Sequence, residues 1–169
     1  MKYLIHTIVA LCCPVFVFCQ DITGLWKGTM FNDSTQKSLP YEIYISKDNG
    51  KYSGYSYSWF IVNGKEYYGV KKLKVNIAKD GKVVIMDAAL IDNNYPVTPD
   101  KNVRQLNVLD IANRGEEIIL DGPFETKRTK DYQELTGRVN VKKVSLLTQS
   151  DLLAYLQKNG GDNNFTVVK

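Results

Sequence analysis

From residue 22 onward the chain alternates. Tyr, Val, Ile and Thr recur at every second position in short runs, and Gly, Asn or Asp closes each run. A period of two marks strands with one covered face, and the punctuation is that of tight turns. The pattern predicts eight strands, at 22–31, 39–47, 51–61, 66–78, 82–92, 103–112, 117–126 and 132–144. Short turns join most of them, so neighbours should pair antiparallel. Two hairpins can be read for register, because a one-residue slip turns every side chain of a strand to the other face. In S-K-D-N-G-K, a three-residue loop Asp48-Asn49-Gly50 pairs Lys47 with Lys51. It sets Ile45, Ile43, Tyr41 and Leu39 opposite Ser53, Tyr55, Tyr57 and Trp59, gathering apolar positions on one face. A two-residue loop sets Ile43 and Ile45 against Ser56 and Gly54, a poorer match. In A-K-D-G-K, a two-residue loop at Asp80-Gly81 matches Ile77 with Val84, Val75 with Met86 and Leu73 with Ala88.

The run 103–112 has Leu106 and Val108 on one face and Val103, Leu109 and Ile111 on the other, which reads as a strand covered on both sides, with a C-terminal helix as the cover. The connection 93–102 holds Pro96 and Pro99, which excludes a central strand and leaves a surface loop or a lid over one end. After the eighth strand the period changes. Leu152, Tyr155 and Leu156 fall at helical spacing, Ser150 is placed to cap, Asp151 and Lys158 suit the first and last turns, and Gly160 ends the helix. Phe165 to Val168 suit one more short strand. Without repeats or linkers, the expectation is a single all-β domain over 20–169. It is an eight-stranded antiparallel up-and-down barrel with one C-terminal helix at about 150–159.

The first nineteen residues have a different character. Lys2 precedes an apolar run from Tyr3 to Phe18, and Val17-Phe18-Cys19 supplies small residues at the cleavage positions before Gln20. This is the layout of a secretory signal peptide. The run falls short of the roughly 20 apolar residues of a membrane span, and Pro14 interrupts it. A lipoprotein signal acylated at Cys19 is the alternative, although Phe18 is large for that position. The expected location is therefore periplasmic or extracellular, or lipid-anchored through Cys19, with no transmembrane segment left after cleavage.

Cleavage removes all three cysteines (Cys12, Cys13, Cys19) and the single histidine, His6. The mature chain then has no nucleophile system built on Cys or His, and no His or Cys zinc ligands. Metal and cofactor sites are not expected. Stability must come from the core, which at about 150 residues is feasible. The chain carries 22 Lys and Arg against 18 Asp and Glu, a formal charge of +4 that losing Lys2 reduces by one. Its basic clusters are short and read as solvated faces, so nucleic acid is not an expected partner.

The first strand contains Gly24-Leu25-Trp26. A G-x-W at this position resembles the signature of lipocalins and their calycin relatives, whose plan is also eight strands, a helix and a short ninth strand. The resemblance implies that Trp26 closes the base of the barrel, that Gly24 permits the bend, and that an arginine of the last strand, Arg138, packs across the indole. The lipocalin T-D-Y between strands six and seven is absent, and N-R-G-E stands there. The stretch I-T-G-L-W with G-K-Y-S-G-Y-S also resembles avidins, but their biotin pocket uses several tryptophans and this chain has only Trp26 and Trp59. The leader followed by D-I-T-G-L-W-K-G is similar to exported proteins of Bacteroidota.

All but one of the eleven tyrosines lie beyond the leader, many between Tyr41 and Tyr68. Tyrosines lining a barrel give apolar walls with a few hydroxyls, suited to a small hydrophobic or amphipathic ligand; the plainer alternative is that they fill the core. The first functional reading is a non-enzymatic, lipocalin-like binding protein with its ligand against Tyr41, Tyr55, Tyr57 and Trp59. The second is a protein–protein module of the cell envelope, with a filled barrel and an exposed patch at Tyr44, Tyr67 or Tyr68. A hydrolase built on Glu42, Asp87, Asp92 or Glu125 is a third, with no spacing that brings two of them together. The turns D-N-G-K and D-N-N-Y lack the spacing of a calcium loop.

Overall fold

The computed structural model describes residues 21–160. The signal peptide and the ninth strand expected at Phe165 to Val168 lie outside them. The strands are β1 (Gly24–Asn32), β2 (Lys37–Asp48), β3 (Lys51–Val62), β4 (Lys65–Ile77), β5 (Val83–Asn93), β6 (Gln105–Arg114), β7 (Glu117–Thr126) and β8 (Thr136–Val144), followed by α1 (Asp151–Asn159). They form a closed barrel in sequence order, every neighbouring pair antiparallel and β8 returning to β1. Closure removes the open edges that such a sheet would otherwise present. The interior is apolar over most of its length: Trp26, Ile43, Ile45, Val75, Ile85, Leu109, Leu120, Val139 and Val141 belong to one buried cluster.

Both hairpin registers differ from the sequence expectation, each by one residue. In the first, Asp48 pairs with Lys51, and only Asn49 and Gly50 form the loop. Both have positive φ, 48° and 78°, which is what a two-residue turn requires and what Asn-Gly supplies. Ile43 and Ile45 therefore face Ser56 and Gly54. The apolar-matching rule failed because the barrel bends sharply here: a Cβ at Gly54 would strike the Tyr44 carbonyl. Small residues face inward, and Tyr55 and Tyr57 face outward under the helix. In the second hairpin, Ala78 and Lys82 pair around a three-residue loop ending at Gly81, φ 86°. The ladder then matches Ile77 with Val83, Val75 with Ile85 and Leu73 with Asp87, and the first bulge follows between Leu73 and Lys72. This one-residue shift turns Asp87 into the barrel.

The helix has the expected punctuation. Ser150 Oγ accepts from the Leu153 N–H at 3.1 Å, and Gly160 closes the helix with φ 62°. It does not cover β6. Leu152 and Leu156 pack on Val70 and on Tyr44, Tyr55, Tyr57 and Tyr68, on the outer face of β2, β3 and β4. A buried carboxylate fixes it there. Glu42 Oε2 accepts the Ser150 hydroxyl at 2.6 Å and the Leu152 N–H at 3.0 Å, while Lys27 Nζ lies 2.8 Å from Oε1. A negative charge at a helix N-terminus is also favoured by the helix dipole.

Candidate functional site

The two ends of the barrel are built differently. At the end where β1 begins, Gly24 takes φ 115°, a conformation open to glycine, and Trp26 is fully buried. The indole N–H donates to the Ile22 carbonyl at 3.0 Å. The cation over the ring is Lys143, at 5.8 Å from the centroid, which also donates to the Asp21 carbonyl at 2.8 Å. Arg138 is not there. It points outward, 62% exposed, and grips Asp121 through Nε and Nη2 at 2.8 and 2.9 Å. The alternation that places Val139 and Val141 inside also places Lys143 with them, and Lys143 is the register partner of Trp26. At Gly28, a Cβ would collide with the Asn140 backbone, so β8 closes against a bare stretch of β1.

Toward the other end the interior turns polar. Asp87 is buried. Its Oδ2 accepts Lys71 Nζ at 2.5 Å and the Gln105 N–H at 3.0 Å. Gln105 Nε2 donates to Asn107 Oδ1 at 2.7 Å, and Asn107 Nδ2 to the Ile85 carbonyl at 3.1 Å. The Tyr41 hydroxyl shares hydrogen bonds with Ser56 and Asn107; burial, and then the charge of Asp87, raises its pKa far above the ordinary tyrosine value. These polar groups replace missing ladder bonds. β5 and β6 pair only from Val83–Leu109 to Met86–Leu106, although β5 runs on to Asn93. Asp87 stands where the ladder stops, and its carboxylate takes the backbone N–H that a continuing strand pair would have satisfied.

One atom is left over. Among the described residues, only Glu42 Oε1 and Asp87 Oδ1 are buried side-chain atoms without a hydrogen bond, and Lys27 faces the first as an ion pair. Lys71 pairs with the Asp87 carboxylate through Oδ2, which leaves Oδ1 as its oxygen without a hydrogen bond. A buried acceptor left unmatched costs about 1–3 kcal/mol, so it points to a partner outside the chain. The site reaches solvent through Lys71, whose side chain is 26% exposed.

Tyr95, from the loop between β5 and β6, covers this end. Its ring packs on Phe60 at 5.9 Å between centroids, and its hydroxyl shares a hydrogen bond with Ser58. Burial and the Asp87 charge raise its pKa. The hydroxyl sits so close to Gly69 that a Cβ there would overlap it. The loop expected as a lid or a plain surface connection thus sends one side chain into the barrel.

Of the four residues expected to line a ligand, Tyr41 alone belongs to the interior cluster. Tyr55 and Tyr57 belong to the outer cluster beneath the helix, and Trp59 lies 5.6 Å from Tyr57, pairing with Tyr68 across the strands. Tyr57 and Tyr68 stack at 5.5 Å, and burial first, then Asp151, pushes Tyr57 up to about 12. The four acids considered for catalysis are in separate settings. Glu42 caps the helix, Asp87 is interior, Asp92 accepts the Tyr68 hydroxyl at 3.1 Å, and Glu125 is exposed. Among the described residues no three acidic, His or Cys side chains converge as metal ligands, and no helix is long and apolar enough to cross a membrane. An open groove of about 500 Å³ lies by the β2–β3 turn, at the barrel end where β1 begins; Tyr52, Val75 and Ile77 line it from the core side, and Lys51, Lys74 and Asn76 are exposed to water.

Lys71, Gln105, Asn107 and Tyr95 were not singled out from sequence. A signal for three of them was present. The face of β6 that carries Leu109 and Ile111 also carries Asn107 and Gln105, and the face of β4 with Val75 and Leu73 also carries Lys71. Comparison with protein-family models, with curated proteins and with solved structures finds no match for this chain.

Proposed function

We propose that the protein is an exported, non-enzymatic binding protein of lipocalin-like type that holds a small amphipathic guest at the polar end of its barrel. The observation that carries this reading is the buried, unmatched Oδ1 of Asp87, set inside a closed barrel beside Lys71 and next to a break in the β5–β6 ladder. The guest's polar group meets Asp87 and Lys71, and its apolar part lies against Phe60, Tyr41 and the aliphatic interior. The leader, the G-x-W opening and the barrel plan agree with this. Native mass spectrometry tests it, on the full chain expressed with its leader and purified without detergent. The expected result is an added mass of a few hundred daltons, or its uptake from a lipid and metabolite extract, which Asp87→Asn abolishes.

A second reading, docking to an envelope protein, is favoured by exposed aliphatic residues at the same end, Ile61 at 67% and Val97 at 75%. A bare mass in every preparation, with no uptake from extract, would replace the first reading with this one.

A further inference from the structure

The seat of Tyr95 narrows the chemistry of the guest, an inference that rests on the binding function proposed above. A planar ring carrying a hydroxyl already occupies this end of the barrel, and it belongs to the chain itself. Its hydroxyl reaches Ser58 and lies against Gly69, where only a residue without a Cβ leaves room. Phe60 supplies a ring contact at 5.9 Å, with Tyr67 stacked behind it at 5.6 Å. Tyr95 is delivered by a loop beyond the last β5–β6 pair, so the ring can leave without breaking that ladder. The loop is tied on either side of the ring: Asn94 bonds the Tyr68 backbone and the Glu66 carbonyl, the Tyr95 N–H donates to Asn93 Oδ1 at 3.2 Å, and Asp100 accepts the Asn102 N–H and the Thr129 hydroxyl. Tyr95 is held within reach of the Asp87 charge but does not satisfy Oδ1.

We infer that the guest is a phenol or a similar small hydroxylated ring that takes the seat of Tyr95 and donates its hydroxyl to Asp87 Oδ1. An untethered ring can sit deeper than Tyr95, whose position is set by its own backbone. Tyr95 then acts as an internal competitor, and the apparent affinity is reduced by the fraction of time it occupies the seat. A site built to receive a hydroxyl also discriminates strongly against the analogue that lacks one.

The probes are p-cresol and toluene, titrated into wild type, Tyr95→Ala and Gly69→Ala by calorimetry, with cooperative unfolding checked for each variant. Gly69→Ala is the opposing variant, because its methyl fills the place that the hydroxyl end of the ring occupies. Wild type should bind p-cresol, Tyr95→Ala should bind it about tenfold more tightly, Gly69→Ala about tenfold more weakly than wild type, and toluene should bind at least about tenfold more weakly than p-cresol. Asp87→Asn should remove the preference for p-cresol. Binding of p-cresol to Tyr95→Ala alone, with none to wild type, would overturn the inference and make Tyr95 a core filler. Equal binding of toluene would overturn it as well. An extract-derived guest that p-cresol fails to displace would refute the phenol class and leave the binding site standing. No guest and no p-cresol binding would refute both.

Discussion

The Trp26 end and the Asp87 end of the barrel use the same strands for opposite purposes. At the first, the polar groups around the indole are matched: the indole N–H is bonded to Ile22, and Lys143 both covers the ring and ties down the backbone at Asp21. At the second, the ladder between β5 and β6 stops early, Asp87, Lys71, Gln105 and Asn107 turn inward, and a carboxylate oxygen is buried without a hydrogen bond. The first arrangement fixes a structure. The second keeps unused hydrogen-bonding capacity inside a low-dielectric wall, a feature of sites that receive something. Changes at the first end should therefore be felt in stability, and changes at the second mainly in binding.

The largest expected effect is at the closed end. Trp26→Ala should destabilise the protein by about 3–5 kcal/mol, read as a lower midpoint in urea denaturation. A loss below about 1 kcal/mol would mean that the two ends are not so different. Glu42→Gln should cost about 1–3 kcal/mol by weakening a buried cap that holds two donors, with loss of helical signal before the barrel unfolds. Asp87→Asn is the contrasting case. The amide oxygen can still accept from Lys71 and Gln105 but without the charge that pairs Lys71, so stability should fall by about 1–3 kcal/mol, less than for Trp26→Ala, while guest retention is lost.

Two smaller effects sharpen the comparison through pH. The raised pKa of Tyr41 means that the folded protein keeps its proton where the unfolded chain releases it. Its contribution is complete below the ordinary tyrosine value of about 10 and is lost as pH rises beyond it. Tyr41→Phe should flatten the alkaline arm of the stability profile. Arg138→Ala, on the outside, should cost only about 0.2–1 kcal/mol at neutral pH. The Arg138 guanidinium holds Asp121 below the ordinary carboxylate range, so this cost should be present above that range and vanish as pH falls through the lowered pKa.

Much of the fold was legible. Periodicity located all eight strands and their order, and capping residues located the helix, because these signals are local. Register was not legible in either hairpin. The reading assumed that the largest side chains face the core, and here Tyr55 and Tyr57 are large because a helix covers the outer wall, while Gly54 and Ser56 are small because the inner wall is tightly curved. The same error hid the site. With β4 and β5 offset by one residue, Asp87 reads as an outer residue; with the observed register it joins Lys71, Gln105 and Asn107. Trp26 is buried in the interior cluster, and the cation over its ring, which the resemblance assigned to Arg138, is Lys143, its partner in the strand pairing.

The most direct test is a ¹H–¹⁵N correlation spectrum of the detergent-free protein, recorded before and after adding the extract or p-cresol. The expected result is a large shift of the Gln105 and Tyr95 backbone N–H signals, with the Trp26 indole N–H unmoved. Shifts confined to the Trp26 end, or to Tyr57 and Tyr68 on the outer face, would contradict the division of the barrel into a structural end and a receiving end.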